Sequence, residues 1–367
     1  MSEQNISDAQ AEILQPSEDI NNDVAFFTRL GFRLNTIFPD DNPAVATLSG
    51  YNIQLRLDKN TSCAATTIYL LTDNYGAIGD GSDEYLAPNG TIIKLQPKLY
   101  QPDSPATQHK FEVRQLRDSE PWVIGRAGML YRDLIPDRLG GSIIASHIRI
   151  PDGGPVPDMV HYHTIGFQLI YCYRGWVKLV YEDQGPPFIL KAGDCVTQPP
   201  EIRHRVLEAS DNLEVIEIGV PAEHMTTIDH NMDLPNKEYN PEKEYQGQTF
   251  CHHLLKEARW QAGPIAGLEY RDTGINQASN GVASVIIARP TTDETLSSQI
   301  NHNADIYFAF VLNGGMDLED ENQATQKLHP GDAFVIPPQS PYKMSNFTND
   351  LELLQVTLPG KSEIIIH

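Results

Sequence analysis

Cationic side chains are scarce in this 367-residue chain: 27 Lys and Arg stand against 49 Asp and Glu, a formal net charge of -22. A surface field of that sign repels nucleic acid and anionic lipid headgroups, so neither is expected as a partner. Long apolar runs are also missing. No stretch approaches the roughly 18 apolar residues of a membrane span. Met1 to Asp19 is acidic and polar, without a basic n-region or an apolar h-region, which leaves a cytoplasmic location as the expectation. The four cysteines, Cys63, Cys172, Cys195 and Cys251, are far apart and form no C-x-x-C pair. That spacing argues against a zinc knuckle and a disulfide framework and predicts free thiols.

What the chain does have is turn formers, 26 Gly and 26 Pro, with 40% apolar residues. It also repeats itself. Gly128-Met-Leu-Tyr131-Arg132-Asp133 recurs as Gly267-Leu-Glu-Tyr270-Arg271-Asp272, and Ile148-Arg-Ile-Pro151 as Ile287-Ala-Arg-Pro290, both at an offset of 139. Gly175 then matches Gly314, and Ala192-Gly193-Asp194 matches Pro330-Gly331-Asp332 at 138, with Phe111 and Phe250 also in phase. An ordered series of this kind implies two copies of one domain, at 108–225 and 247–362. Residues 1–98 form a third unit, and the polar segment Met225 to Gln248 reads as a surface linker. Within each copy, short apolar strands such as Phe167 to Tyr173 and Leu213 to Gly219 alternate with Gly, Pro, Asp and Asn clusters. Such spacing predicts a closed antiparallel barrel or jelly roll.

The chemistry concentrates in the first copy. His161-Tyr162-His163 places two imidazoles at i and i+2, on one face of a strand, where they can hold one ion. Gln168 follows, and His204, beyond the turn at Gly193, offers a third imidazole from another strand. The bland reading is three hydrogen-bonded core histidines, but their spacing has a pattern. Gly154-(x6)-His161-x-His163-(x4)-Gln168-(x6)-Gly175 and Gly193-(x5)-Pro199-x-Glu201-(x2)-His204 resemble the two signature motifs of the cupin superfamily.

That resemblance implies a mainly β fold, two tandem cupin jelly-roll barrels (a bicupin) preceded by a small α+β (βαβββ) module. It implies His161, His163 and His204 as ligands of one divalent transition metal, with Gln168 where the family usually has glutamate. Fe(II) is the expected ion, with Mn, Ni, Co or Zn as alternatives. Glu201 and Glu208 replace a glycine and an asparagine of the second motif. A neutral Gln168 would leave the ion its whole positive charge and favour an anionic substrate. Glu201, Glu208 and Arg203 or Arg205 are candidate catalytic or anchoring groups at the mouth, and Tyr171 or Tyr173 a candidate wall, although strand parity puts Ile170 and Cys172, not the tyrosines, on the face of Gln168.

In the second copy His302 falls on His163, but Ile300, Tyr307 and Tyr342 fall on the other ligand positions. This barrel is expected to be structural, or to carry a metal-free pocket of His302, Tyr307 and Tyr342. His252-His253 is expected at the surface. In residues 1–98, Asp19-(x6)-Phe26-Phe27-Thr-Arg-Leu30-Gly31-Phe32 resembles the first βαβββ module of the vicinal oxygen chelate (glyoxalase and bleomycin-resistance) superfamily. Ala87-Pro-Asn-Gly90-Thr-Ile-Ile-Lys-Leu95 resembles the close of a shortened second module. No ligand carries over, since Leu55 to Leu57 and Lys94 occupy the closing strands, so a non-catalytic packing or dimerising module is expected. Its helix should open after Ser17-Glu-Asp19 with Val24, Phe27 and Leu30 on one face, and Asp73 to Glu84 should be a mobile loop.

The family likeness implies a metal-dependent enzyme, with an Fe(II) dioxygenase acting on a small oxygenated or enolisable molecule in front. The alternatives are a non-oxidative isomerase or decarboxylase at the same site, and a ligand-binding or sensor bicupin without catalysis; a homodimer is compatible with each. The motif spacing predicts about one metal ion per chain, abolished by His161→Ala with His163→Ala and unchanged by His302→Ala, as read by elemental analysis of protein purified without chelator.

Overall fold

A computed structural model describes residues 10–98, 104–118, 121–263, 265–291, 299–320 and 325–366. The chain divides into two compact units, Met1–Tyr100 and Gln101–His367. All four cysteines are free thiols. Among the described residues no helix is long and apolar enough to cross a membrane.

In the first unit, β1 (Ile13–Pro16), α1 (Ile20–Arg29), β2 (Arg33–Phe38), β3 (Val45–Gly50) and β4 (Ile53–Asp58) follow in the expected βαβββ order. The sheet order is β1-β4-β3-β2, with β1 parallel to β4. Asp19 caps α1, its carboxylate accepting from the backbone N–H groups of Asn21 and Asn22. The buried stripe is wider than the sequence predicts: Ile20 and Phe26 join Phe27 and Leu30, while Val24 is only partly covered. A second, three-stranded sheet follows, β5 (Thr67–Leu71), β6 (Glu84–Leu86) and β7 (Ile92–Gln96), with β5 parallel to β7. The Asp73 to Glu84 segment is tied down rather than loose. It contains a short 3-10 turn, buries Ile78 in the core, and is held by the Tyr85 hydroxyl donating to the Ile78 carbonyl at 2.8 Å.

The second unit is two jelly-roll barrels, each a seven-stranded sheet facing a smaller one. Phe167–Arg174 shows why its sequence is almost uniformly apolar. Phe167, Leu169, Tyr171 and Tyr173 enter the core between the two seven-stranded sheets, together with Phe308, Phe310 and Leu354. Cys172 and Ile170 turn into the first barrel. A strand buried on both faces loses the polar alternation of a half-exposed one. Tyr171 and Tyr173 therefore line the inter-barrel core and not the candidate site.

The opening strands are exchanged. Glu112–Arg114, at the start of the first copy, pairs with Ala333–Val335 of the second. Cys251–His253, at the start of the second, pairs with Cys195–Thr197 of the first. His252 and His253 are thus half-buried strand residues rather than surface ones, and His252 stacks on Phe188. Each exchanged segment is pinned by the aspartate of the repeated Gly-Asp turn. Leu116 donates its backbone N–H to Asp332 Oδ1, and Leu255 donates to Asp194 Oδ1, both at 2.7 Å. The buried Arg132 donates to the Gly331 carbonyl, and the buried Arg271 to that of Gly193. Met225 to Gln248 is not only linker, because Met225–Ile228 forms a strand beside His161–Thr164.

Removing a charged acceptor leaves buried N–H groups unpaired, which costs about 1–3 kcal/mol. Asp332→Ala and Asp194→Ala are each expected to destabilise the barrel pair by about 2 kcal/mol in chemical denaturation, since each strands a turn N–H as well as the one from the exchanged segment.

Candidate metal centre

His161 and His163 lie on His161–Thr164 and point into the first barrel, while Tyr162 between them faces out. His204 opens the neighbouring strand and is the direct cross-strand partner of His161. The three imidazoles are buried at 0%, 8% and 4% exposure, and their candidate ligand atoms all lie within 4.8 Å of one another. Glu201 shapes the approach to His204. It takes the left-handed conformation (φ 64°) that the motif's glycine would favour, and its N–H donates to the His163 carbonyl at 3.0 Å.

Hydrogen bonds to the other ring nitrogen set the tautomers. His161 Nδ1 donates to the Met159 carbonyl at 2.8 Å, and His204 Nδ1 to the Ile202 carbonyl at 2.9 Å. A carbonyl only accepts, so Nδ1 carries the proton and the lone pair is on Nε2. His163 Nδ1 meets the Thr226 hydroxyl at 2.9 Å. His161 Nε2 is buried with no hydrogen-bond partner, as is Gln168 Oε1. An orphaned imidazole nitrogen within a cluster of three histidines, and an orphaned amide oxygen in the same barrel, are what a bound cation would satisfy, so the residues fit a divalent metal.

Gln168, 1% exposed, shares its strand face with Ile170 and Cys172 as parity predicts. Its amide donates from Nε2 to Glu217 Oε1 at 2.5 Å. Glu217 lines a cavity of about 70 Å³ together with His163, His204, Arg126, Tyr131, Gln198 and an apolar wall that includes Met129, Ile148, Ile170, Leu179 and Val215. Arg126 is paired with Asp158, whose other oxygen accepts the Val206 N–H at 2.9 Å. None of Glu217, Arg126, Asp158, Thr226 and His224, whose ring is 5.4 Å from that of His163, was identified from the motif. Glu217 was detectable as the one charged residue at an inward position of Leu213 to Gly219. Arg126 and Thr226 come from outside the motif and left no such mark.

The other candidate groups are not brought to the triad. Arg203 alternates outward from His204, lies over the Tyr162 ring at 4.2 Å and pairs with Asp229 at 3.2 Å. Arg205 has the same parity. Glu208 should share the inward face with His204 and Val206, but a bulge intervenes. Val206 pairs with Leu179 and Glu208 with Lys178, so Leu207 is extra and Glu208 is rotated to the outer face. Glu201 is half-buried in its turn, away from the cavity lining. In the second barrel His302, Tyr307 and Tyr342 are buried together in an apolar core with Met316, Leu318 and Phe334. There His302 stacks on Tyr307 at 4.8 Å and spends Nε2 on the Ile336 carbonyl at 3.2 Å.

The chain has the fold of the cupins, with two jelly-roll barrels in tandem. No family model matches the sequence, and no curated protein matches it. Among solved structures it is similar to the oxalate decarboxylase of Lactobacillus farciminis in a formate complex (15% identity, TM-score 0.52, covering 71% of this chain and 91% of that one). A mutant of the Bacillus subtilis oxalate decarboxylase gives 14% identity and a TM-score of 0.53, over 71% of this chain and 81% of its own. Salicylate 1,2-dioxygenase of Pseudaminobacter salicylatoxidans gives 14% and 0.52, over 72% and 90%.

Burial holds all three histidines below the usual imidazole pKa. Neighbouring charge adds to this, from Arg126 at His161, from His204 and His161 at His163, and from His161 at His204. The folded protein therefore binds fewer protons than the unfolded chain below about pH 6.5, and the stability present above that pH is lost as pH falls. Metal-free protein is expected to lose about 1.4 kcal/mol per pH unit for each histidine that stays neutral, measured by denaturant unfolding between pH 7.5 and 5.

Proposed function

We propose that the first barrel holds one divalent metal through Nε2 of His161, His163 and His204 and Oε1 of Gln168, and that the protein is a metal-dependent enzyme for a small anionic, oxygenated molecule. The observation that carries this is the clustering of three buried imidazoles, two of them with tautomers fixed for Nε2 ligation, beside a cavity that also presents an arginine. When bound, the ion would supply Lewis acidity and, as Fe(II), the one-electron chemistry that O2 requires.

The chain's own groups divide the remaining work. Arg126, fixed by Asp158, offers a guanidinium to a substrate carboxylate. Tyr131, whose phenol is pushed up to about 12 by burial and then by Glu217, stays protonated as a donor. The apolar wall excludes water and strengthens each of these contacts. A cavity of about 70 Å³ has room for about five water-sized positions. That suits a molecule of a few heavy atoms better than a substituted ring.

An Fe(II) dioxygenase is our first reading, and non-oxidative decarboxylation or isomerisation the second, favoured by the small cavity and the likeness to a decarboxylase fold. The second barrel is proposed as structural, and Met1–Tyr100 as a non-catalytic module of vicinal oxygen chelate type, on its βαβββ order. Both readings place the chemistry at one barrel. Oxygen-electrode and CO2 measurements with Fe(II)- and Mn(II)-loaded protein on oxalate and other small carboxylates separate them. Fe(II)-dependent O2 uptake is expected; CO2 release without O2 uptake would favour decarboxylation, and binding without turnover would leave a sensor.

A further inference from the structure

Gln168 replaces a charged ligand with a neutral one, yet a carboxylate has not left the barrel. Glu217, two strand positions from Val215 on the inner face of Leu213–Val220, reaches the amide of Gln168 from the adjacent strand. Its Oε1 accepts from the amide Nε2 at 2.5 Å. It therefore captures the NH2 end of the amide and forces the opposite end, Oε1, to be the free one, and Oε1 is the buried atom without a partner. The backbone of Gln168 is fixed as well, its carbonyl accepting from the Gln198 N–H at 2.9 Å and the Thr197 hydroxyl at 3.2 Å. The side chain is thus held at both ends.

We infer that Glu217 is the positioning residue of the metal centre: it orients the Gln168 amide so that oxygen rather than nitrogen faces the ion, and it returns, one hydrogen bond behind the ligand, the negative charge that a glutamate ligand would have supplied. This rests on the metal-centre reading above. Charge accepted through Nε2–H polarises the amide and raises the electron density on Oε1, as carboxylates do behind ligating histidines. The ion therefore sits in a pocket that is less cationic than a count of neutral ligands gives. Loss of Glu217 frees the amide to rotate and present NH2, which cannot ligate.

The test uses metal-free full-length protein titrated with Co(II), followed by calorimetry and by the visible absorption of the ion, with no turnover involved. Glu217→Gln is expected to weaken Co(II) binding about 10- to 100-fold and to move the spectrum toward that of Gln168→Leu. Glu217→Asp, which keeps the charge but is too short to reach the amide, is expected to weaken binding in the same direction. The swap of Gln168→Glu with Glu217→Gln restores a carboxylate to the ligand set and is expected to recover affinity to within a few-fold. Thermal melting of each metal-free variant reads folding separately, and the swap decides the matter should a single variant misfold. Wild-type affinity and spectrum in Glu217→Gln, or a folded swap variant that binds no better than Gln168→Leu, would overturn the inference while leaving the centre intact. Wild-type protein that takes up no Co(II) would instead remove the centre itself.

Discussion

The reciprocal pinning of exchanged strands by Asp194 and Asp332 is the constraint on which the second unit depends. Each aspartate closes its own Gly-Asp turn and at the same time accepts the backbone N–H of the other repeat's entering segment. Arg132 and Arg271 add the same contact in mirror form, each donating to the carbonyl of the partner repeat's turn glycine. The seven-stranded sheets are therefore complete only as a pair, and their outer faces are buried against each other as one apolar core. The candidate metal strand gains indirectly. With Phe167, Leu169 and Tyr171 locked in that core, alternation leaves Gln168 no direction but inward.

Symmetry of scaffold coexists with asymmetry of site. The turns, the buried arginines and the Trp122 and Trp260 rings that face Arg149 and Arg289 recur in both barrels. The interiors do not. One barrel buries three imidazoles, two of them with Nε2 kept available by a carbonyl on Nδ1; the other commits the Nε2 of its single retained histidine to a carbonyl and fills the space with tyrosine rings. Duplication supplies two equivalent containers, and stability requires only that both be filled.

Much of this was legible in the sequence. Alternation placed His161 and His163 on one face of a strand, and the 139-residue offset showed the duplication. The candidate ligands were visible because the spacings that mark them are local properties of two short stretches of chain. Glu208 was misplaced because a single extra residue at Leu207 inverts parity, and nothing in the side chains marks a bulge. The strand exchange was hidden because Phe111 and Phe250 are in phase whichever barrel each strand joins. Glu217 was missed although its inward charge was visible, and Arg126 because it comes from a turn outside the motif whose partner, Asp158, its own segment does not reveal.

The exchange also orders events during synthesis. Leu255 follows its anchor Asp194 by 61 residues, whereas Leu116 precedes Asp332 by 216. As the chain leaves the ribosome, the barrel with the histidines can close once the start of its twin emerges, but its own first strand must stay unpaired until Ala333–Val335 of the second barrel has been made. A segment kept waiting that long is an open edge for another chain to occupy. The long contact makes folding of the pair slow, and it makes the second barrel the element that shelters the first from swapping with its neighbours.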